Sequence, residues 1–402
     1  MRSNRLAILA VTLMLTAGAW AASSEKELFS FTLSSGSNPT AGLVLDAKGN
    51  LYGTTEIGGP NSYGTAFQLT HSKNGWTENV LHGFANGSDG AYPSGALVFD
   101  NAGHLYGTAV SGGSASCSNG CGTVFELVPG SGGNWTFNVI YSFTGGKDGF
   151  APAYGSLILD KAGNLYGTAE MGGNGSGTVF ELIHSKAGWR EKTLYAFRGN
   201  GDAGYPLSGL SWDAAGNLYG ATVRGGTGNA GAVFQLKHIK TSWKEKVIYS
   251  FTGGNDGAYP EYGGVTLNAA GDVYGTAAGG GASGQGVVFE LKPSKSGWKE
   301  SVLYSFTGGS DGGQPFAGLT FNPAGNLFGA TAYGANGDGT VFELAHTQSG
   351  WKESTLHTFA VTDGAFPYVA SQSTAKADCT AQPSEVAQVV RAWRLKLRRK
   401  SS

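Results

Sequence analysis

The sequence predicts an all-β protein, a β-propeller of six four-stranded blades, on three observations. The tetrad Leu51-Tyr52-Gly53-Thr54 returns as Leu105–Thr108, Leu165–Thr168, Leu218–Ala221, Val273–Thr276 and Leu327–Ala330, with successive glycines 54, 60, 53, 55 and 54 residues apart. A period this regular marks a repeat architecture. Each repeat also holds four short runs rich in Val, Leu, Phe, Tyr and Thr and bounded by Gly and Asn, which are strand and turn signals. Before residue 380 no stretch keeps a helical period long enough to compete. Four strands in each of six units is the arithmetic of a propeller; a β-helix would need shorter repeats, and a sandwich would need no such period.

The chain opens with Arg2 and Arg5, an apolar run from Leu6 to Ala17 and the small-x-small site Ala19-Trp20-Ala21. This order is that of an export signal over residues 1–21, with an apolar run too short for a bilayer span. The mature chain is expected to start near Ala22, to act outside the cytoplasm (secreted, cell-surface or periplasmic), and to be a monomer without a transmembrane span. A net charge of −1 argues against a nucleic-acid partner for the body of the protein. Glycine, at 68 residues, is far above its usual share, as a chain dense in tight turns requires.

In the first repeat the four runs are Gly42–Asp46, Leu51–Thr55, Gly64–Leu69 and Trp76–Phe84. The turn between the first two, Asp46-Ala47-Lys48-Gly49-Asn50, recurs at 100–104 and 160–164, with glycine for a positive φ and aspartate to accept backbone N–H groups. In two copies the aspartate becomes Asn268 and Asn322, an exchange that suits a turn acceptor and not an obligatory acid. Blades are expected at 39–84, 91–143, 152–197, 206–251, 260–306 and 315–359, within a propeller domain over 22–370. Leu28 to Phe31 read as a strand added to the closing blade. A seventh copy begins at Asp363-Gly364-Ala365-Phe366-Pro367 and dissolves, so seven blades with a degenerate last one is the alternative. Residues 371–402 form a basic tail with Arg391, Arg394, Lys396, Arg398, Arg399 and Lys400, readable as a short frayed helix or as a contact for an anionic surface.

The repeat D-G-A-Y-P…G-L…D-x-A-G-N-L-Y-G-T…G-T-V-F-E-L…G-W…L-Y-S-F-T-G-G resembles the GloVer (Gloeobacter/Verrucomicrobia) tandem repeat of bacterial choice-of-anchor proteins, over roughly residues 27 to 368. Its G-L-x-x-D-x-x-G-N-L-Y core is also similar, more weakly, to NHL-type propeller repeats. The resemblance implies an exported protein of unestablished activity whose surface anchor varies between members. Neither a sorting motif nor a membrane span stands at the end of this chain.

Cys117 and Cys121 fall in the insertion that stretches one repeat to 60 residues, and a loop disulfide is expected; Cys379 has no evident partner. Repeated residues belong to the scaffold, so the tetrad tyrosines and the fourth-run tryptophans read as packing between blades. His71, His184, His238 and His346 recur two residues past the third run's leucine, in the connection to the fourth run, and spread around a ring they suggest no shared metal site. There is no nucleophile elbow, zinc-protease motif or phosphate loop, and no residue is assigned a catalytic role.

Two loop sets open on one face. The blade-to-blade loops carry Asp89-Gly90, Asp148-Gly149, Asp256-Gly257 and Asp311-Gly312, followed by Tyr92, Phe150, Tyr259 and Gln314. They read as stabilised turns, with oxygen-rich calcium loops or an aromatic sugar platform as alternatives; calcium is the one cofactor left open. Residues that break the six-fold pattern just after the second run are better ligand candidates: Glu56, Glu170, Arg224 and Tyr333, beside Tyr154, Glu261 and Tyr262. A pocket of these would suit a carbohydrate or peptide. The function expected is therefore an exported, non-enzymatic binding or surface-display module. The alternative is an extracellular polysaccharide hydrolase or lyase with Glu56 and Glu170 as an acid/base pair, which requires the two carboxyls to lie close together.

Overall fold

The computed structural model describes residues 28–152, 154–334, 337–360 and 367. Among them, six four-stranded antiparallel sheets follow one another in a ring, a six-bladed β-propeller in which each blade is a simple meander. Blade one has strands Val44–Leu45, Leu51–Thr55, Thr65–Ser72 and Gly75–Gly83. The fourth strands of the next five are Trp135–Ser142, Gly188–Ala196, Ser242–Ser250, Gly297–Ser305 and Gly350–Thr358. All of these strands lie within the blade bounds that the period predicts. The first strands shrink to two or three residues, since only their ends pair with the second strand.

The tetrad explains itself in packing. Its glycine backbone faces the ring of the third-strand phenylalanine, and a Cβ at Gly53, Gly107, Gly167, Gly220, Gly275 or Gly329 would stand only 2.5–2.8 Å from that ring's Cζ. The tetrad tyrosine is buried, and its hydroxyl serves the neighbouring turn: Tyr106 donates to Asp100 (3.2 Å) and to Glu126 (3.0 Å), and Tyr166 to Asp160 (3.1 Å) and Glu181 (2.8 Å). The turn aspartates also accept backbone N–H groups, as Asp46 does from Lys48 and Asn50, and Asn268 does the same work from Ala270 and Asp272. The tyrosine rings meet the next blade's tryptophan edge-on, Tyr52 to Trp135 and Tyr106 to Trp189. Tyrosine and tryptophan are thus inter-blade packing, as expected from their recurrence in five and six of the repeats.

A second contact repeats at each junction. The phenylalanine after each fourth strand lies edge-on against the next blade's third-strand phenylalanine, at 5.0–5.2 Å for the pairs from Phe84–Phe125 to Phe306–Phe342. On blade one that place is taken by Phe31, 4.7 Å from Phe67. The segment Leu28–Phe31 carries no strand; Leu28, Phe29 and Phe31 instead pack as side chains against Leu43, Leu51, Phe67 and Leu69. This corrects the expectation of an added strand: the segment packs its side chains against blade one without forming one. At the other end Pro367 sits against Gly339 as Pro93 sits against Gly64.

The histidines also need correction. His71, His184, His238 and His346 lie inside third strands that run three residues past the conserved leucine, not in a connection. Each is directly opposite the fourth-strand tryptophan, with ring centroids 4.6–5.0 Å apart. The histidine ring packs tilted or edge-on against the tryptophan across the hairpin, and Pro129 and Pro293 take the same register position opposite Trp135 and Trp298.

Candidate functional site

One face of the ring is built from the two loop sets together. Each blade-entry loop pairs in antiparallel fashion with the second-to-third loop of its own blade: Ser37 with Ile57, Ala91 with Ser111, Phe150 with Met171, Ala258 with Gly279 and Gly313 with Tyr333. Blade four makes the longest of these ribbons, Ala203–Gly204 against Arg224–Gly225. The loop aspartates are consumed by the turn. Asp148 accepts from Thr144 N (2.7 Å), Thr144 Oγ1 (2.6 Å), Gly146 N (3.2 Å) and the Tyr141 hydroxyl (2.9 Å). Asp256 and Asp311 repeat the tyrosine and threonine contacts. Carboxylates so engaged are turn acceptors, and among the described residues no three or more His, Cys, Asp or Glu side chains gather as a metal-binding group. The residue before each entry proline has a left-handed backbone, φ 52–60° at Asn38, Tyr92, Ala151, Tyr205, Tyr259 and Gln314. In blade three that position belongs to Ala151 and not to its neighbour Phe150.

Between blades three and four this face opens into a cleft of about 520 Å³, lined by Glu170, Arg198, Asn200, Tyr205, Arg224 and Asn229 among others. The repeat predicts its place. Where the entry loops at 143–149, 251–257 and 306–312 read Phe-Thr-Gly-Gly-x-Asp-Gly, residues 84–90 read Phe-Ala-Asn-Gly-Ser-Asp-Gly and residues 197–203 read Phe-Arg-Gly-Asn-Gly-Asp-Ala. Arg198 thereby stands where Thr144, Thr252 and Thr307 turn a hydroxyl to their aspartate, while its backbone N–H still donates to Asp202 (3.0 Å). The aspartate still closes the loop, accepting from Arg198 N–H and the Tyr195 hydroxyl, while the Arg198 side chain lines the cleft. Asn200 and Asn229 hold left-handed φ of 46° and 52°, and the Asn229 side-chain oxygen ties its loop by accepting from Gly225 N (3.0 Å).

Arg224 is anchored on two sides. Its carbonyl accepts from Thr222 Oγ1 (2.9 Å), and its guanidinium lies over the Tyr259 ring, 4.9 Å from the centroid. Such a cation–π contact contributes about 0.5–1 kcal/mol at an exposed site. Among the described residues neither Arg198 nor Arg224 lies within ion-pair distance of a carboxylate. Burial alone pushes the Glu170 carboxyl above the usual carboxylate range. Burial also raises Glu261, against the opposing pull of Arg224. The cleft thus carries two cations against one reluctant carboxylate, a field that attracts anions.

The sequence candidates divide among four places. Glu170 and Arg224 meet in the cleft, with Glu261 close enough to Arg224 to feel its charge. Tyr154 and Tyr262 meet each other, ring centroids 4.5 Å apart, with Phe316 5.4 Å beyond Tyr262. Glu56 stays in blade one, half-buried beside Asn38, and does not line the cleft with Glu170. Tyr333 is 43% exposed on blade six. Arg198, Asn200, Tyr205 and Asn229 escape a search confined to the residues after the second strand; the broken Thr-Gly-Gly pattern at 198–200 is the signal for the first two of them. On the same face a Cys117–Cys121 disulfide closes the blade-two insertion over Gly145. Cys379 and the export signal lie outside the described residues. Among the described residues no helix is long and apolar enough to cross a membrane.

Comparison with solved structures returns distant likenesses. A putative oxidoreductase (glucose dehydrogenase) from Thermus thermophilus is 14% identical over 75% of this chain and 92% of that one, with a TM-score of 0.43. An ulvan lyase of polysaccharide lyase family PL25, bound to -[GlcA(1-4)Rha3S]-, is 11% identical over 80% and 84%, with a TM-score of 0.49. A protein of unknown function from Dyadobacter fermentans DSM 18053 is 11% identical over 78% and 92%, with a TM-score of 0.37. Identities this low carry nothing about chemistry. No curated protein matches the sequence. The model of the Gloeobacter/Verrucomicrobia repeat, however, matches residues 20–215 and 174–381, and the chain belongs to that repeat family.

Proposed function

We propose that the protein is an exported binding module that takes an acidic carbohydrate into the cleft between blades three and four. The observation that carries this reading is the pair of guanidinium groups, Arg198 and Arg224, set without carboxylate partners where the repeat pattern breaks. Guanidinium forks match carboxylate and sulfate geometry. Asn200, Asn229 and Tyr205 add the amide and phenol groups that suit a hydroxyl-rich ligand, in a volume typical of ligand sites. The disulfide and the signal-like residues 1–21 support a role outside the cytoplasm.

Calorimetry with uronate oligosaccharides tests the proposal. Binding should weaken about 100-fold or more in the Arg198→Ala, Arg224→Ala double variant, since hydrogen bonds to charged groups contribute about 1.5–3 kcal/mol each. Undiminished binding by that variant would place the site elsewhere, and a preference for acidic peptides would change the ligand class.

A second reading puts a chemical step in the same cleft, favoured by the raised Glu170 carboxyl. With the uronate carboxylate held by the arginines, Glu170 would take the proton α to it. The carbon–oxygen bond β to that carboxylate would then break, leaving a carbon–carbon double bond, and water would protonate the departing oxygen. Appearance of the unsaturated product's ultraviolet absorbance, lost in Glu170→Gln, would establish this; a polymer left intact would retire it.

A further inference from the structure

Tyr154 belongs to blade three and Tyr262 to blade five, blades that are not adjacent. Their rings nevertheless lie 4.5 Å apart, and Phe316 of blade six stands 5.4 Å from Tyr262. Non-adjacent blades can meet only near the middle of the ring, so these three partly exposed aromatics gather where the first strands converge. That convergence is tight: a Cβ on Gly155 would lie 2.9 Å from the Ser208 backbone, and one on Gly263 2.6 Å from that of Gly318. In the equivalent stretches after the entry proline, blades one, two and four carry Thr40-Ala41, Ser94 and Leu207-Ser208. Packing alone is therefore satisfied by small or aliphatic residues, and the aromatic cluster breaks the repeat as the cleft does.

The two features are continuous. Arg224 lines the cleft and stacks on Tyr259; Glu261, two residues on, feels its charge; Tyr262 follows directly. On the other side Leu207 also lines the cleft, next to Ser208, which packs against the Tyr154-Gly155 backbone. Resting on the cleft reading above, we propose that Tyr154, Tyr262 and Phe316 form a second subsite, an aromatic platform for the apolar face of a sugar ring. The ligand is then a chain of several sugar rings running from the arginine cleft toward the ring axis, not a single terminal acidic sugar. The apolar face of a pyranose offers C–H groups to the negative face of an aromatic ring, and such rings contribute large contact area at little conformational cost.

The test compares digalacturonate with hexagalacturonate on the full chain, each by calorimetry, with circular dichroism to confirm folding. The hexamer should bind about tenfold or more tighter than the dimer, the gain expected of a linked second contact. Tyr262→Ala should abolish that gain while leaving dimer affinity unchanged, and Tyr262→Phe should retain it. Phe316→Leu provides a milder second variant and should reduce the gain. A gain that survives Tyr262→Ala in folded protein, or equal affinities for the two ligands, overturns the platform while leaving the cleft. Failure of the dimer to bind wild-type protein overturns the cleft reading and the platform with it.

Discussion

Replacing Gly107 by alanine tests the packing rule that sets the repeat. The backbone φ at Gly107 is not in the left-handed region, so alanine is conformationally allowed there, and the stiffer unfolded chain alone would stabilise the fold by about 0.4–1 kcal/mol. Against that, the new Cβ would stand 2.5 Å from Phe125 Cζ and 2.7 Å from Leu97 Cδ2. Carbon–carbon contacts settle near 3.5–4.0 Å, so the ring must retreat by about 1 Å. Phe125 is fully buried and held by Phe84 at 5.2 Å and Phe137 at 5.4 Å, which leaves it no room. Overpacking of this kind costs about 1–3 kcal/mol, for a net loss of roughly 1–2 kcal/mol. Denaturant unfolding measures it. In a Phe125→Leu background the same alanine should cost distinctly less, because the obstructing ring is gone and only the Leu97 contact remains; that coupling is the signature of the contact. Gly103→Ala is the contrasting control. Gly103 has open space around it but φ +87°, so its penalty of about 1 kcal/mol should be the same with or without the Phe125 ring. A stabilising Gly107→Ala, or a penalty undiminished without the ring, would refute the account.

Other expectations follow from the junctions and loops. Burial and the neighbouring carboxylates of Asp202 and Asp256 push Glu245 and Glu300 up to about 7 from an ordinary 4.5. Folding thus favours their neutral forms, so the stabilisation is whole below about 4.5 and is lost as pH rises through about 7. Thermal unfolding should therefore occur at lower temperature at pH 8 than at pH 5, and Glu245→Gln with Glu300→Gln should flatten that slope. Reducing Cys117–Cys121, a bridge of sequence separation 4, should cost no more than about 2 kcal/mol and leave the propeller's far-ultraviolet spectrum intact. Binding of an acidic oligosaccharide should weaken as salt is raised, and the dependence should shrink in Arg198→Ala, because screening acts on the charges that recruit the ligand.

The fold was legible because its determinants are local and repeated. One glycine opposite one phenylalanine, and one aspartate closing one turn, recur often enough that the period reads out the blades. The ends of strands were less legible: nothing in His71 itself says that it continues the third strand, where it pairs across the hairpin with Trp76. The site was legible by half. Departure from the repeat singled out Glu170, Arg224, Tyr154 and Tyr262, yet the side chains that share a space are fixed by blade order and loop height. Tyr154 and Tyr262 meet across the ring although 108 residues separate them, whereas Glu56 and Glu170, equivalent in sequence, sit two blades apart and do not share the cleft. Arg198 was hidden because its loop keeps the length and the aspartate of the pattern, while the altered backbone course, left-handed at Asn200 and Gly201, shows only in the fold.

A crystal structure of the protein with hexagalacturonate bound tests the central claim most directly. The account predicts sugar density in the cleft between blades three and four, with a uronate carboxylate within hydrogen-bonding distance of Arg198 and Arg224 and a further ring laid on Tyr262. Density on the opposite face, beside the His71 and His184 hairpins, or a cleft left to solvent at saturating ligand, would contradict it.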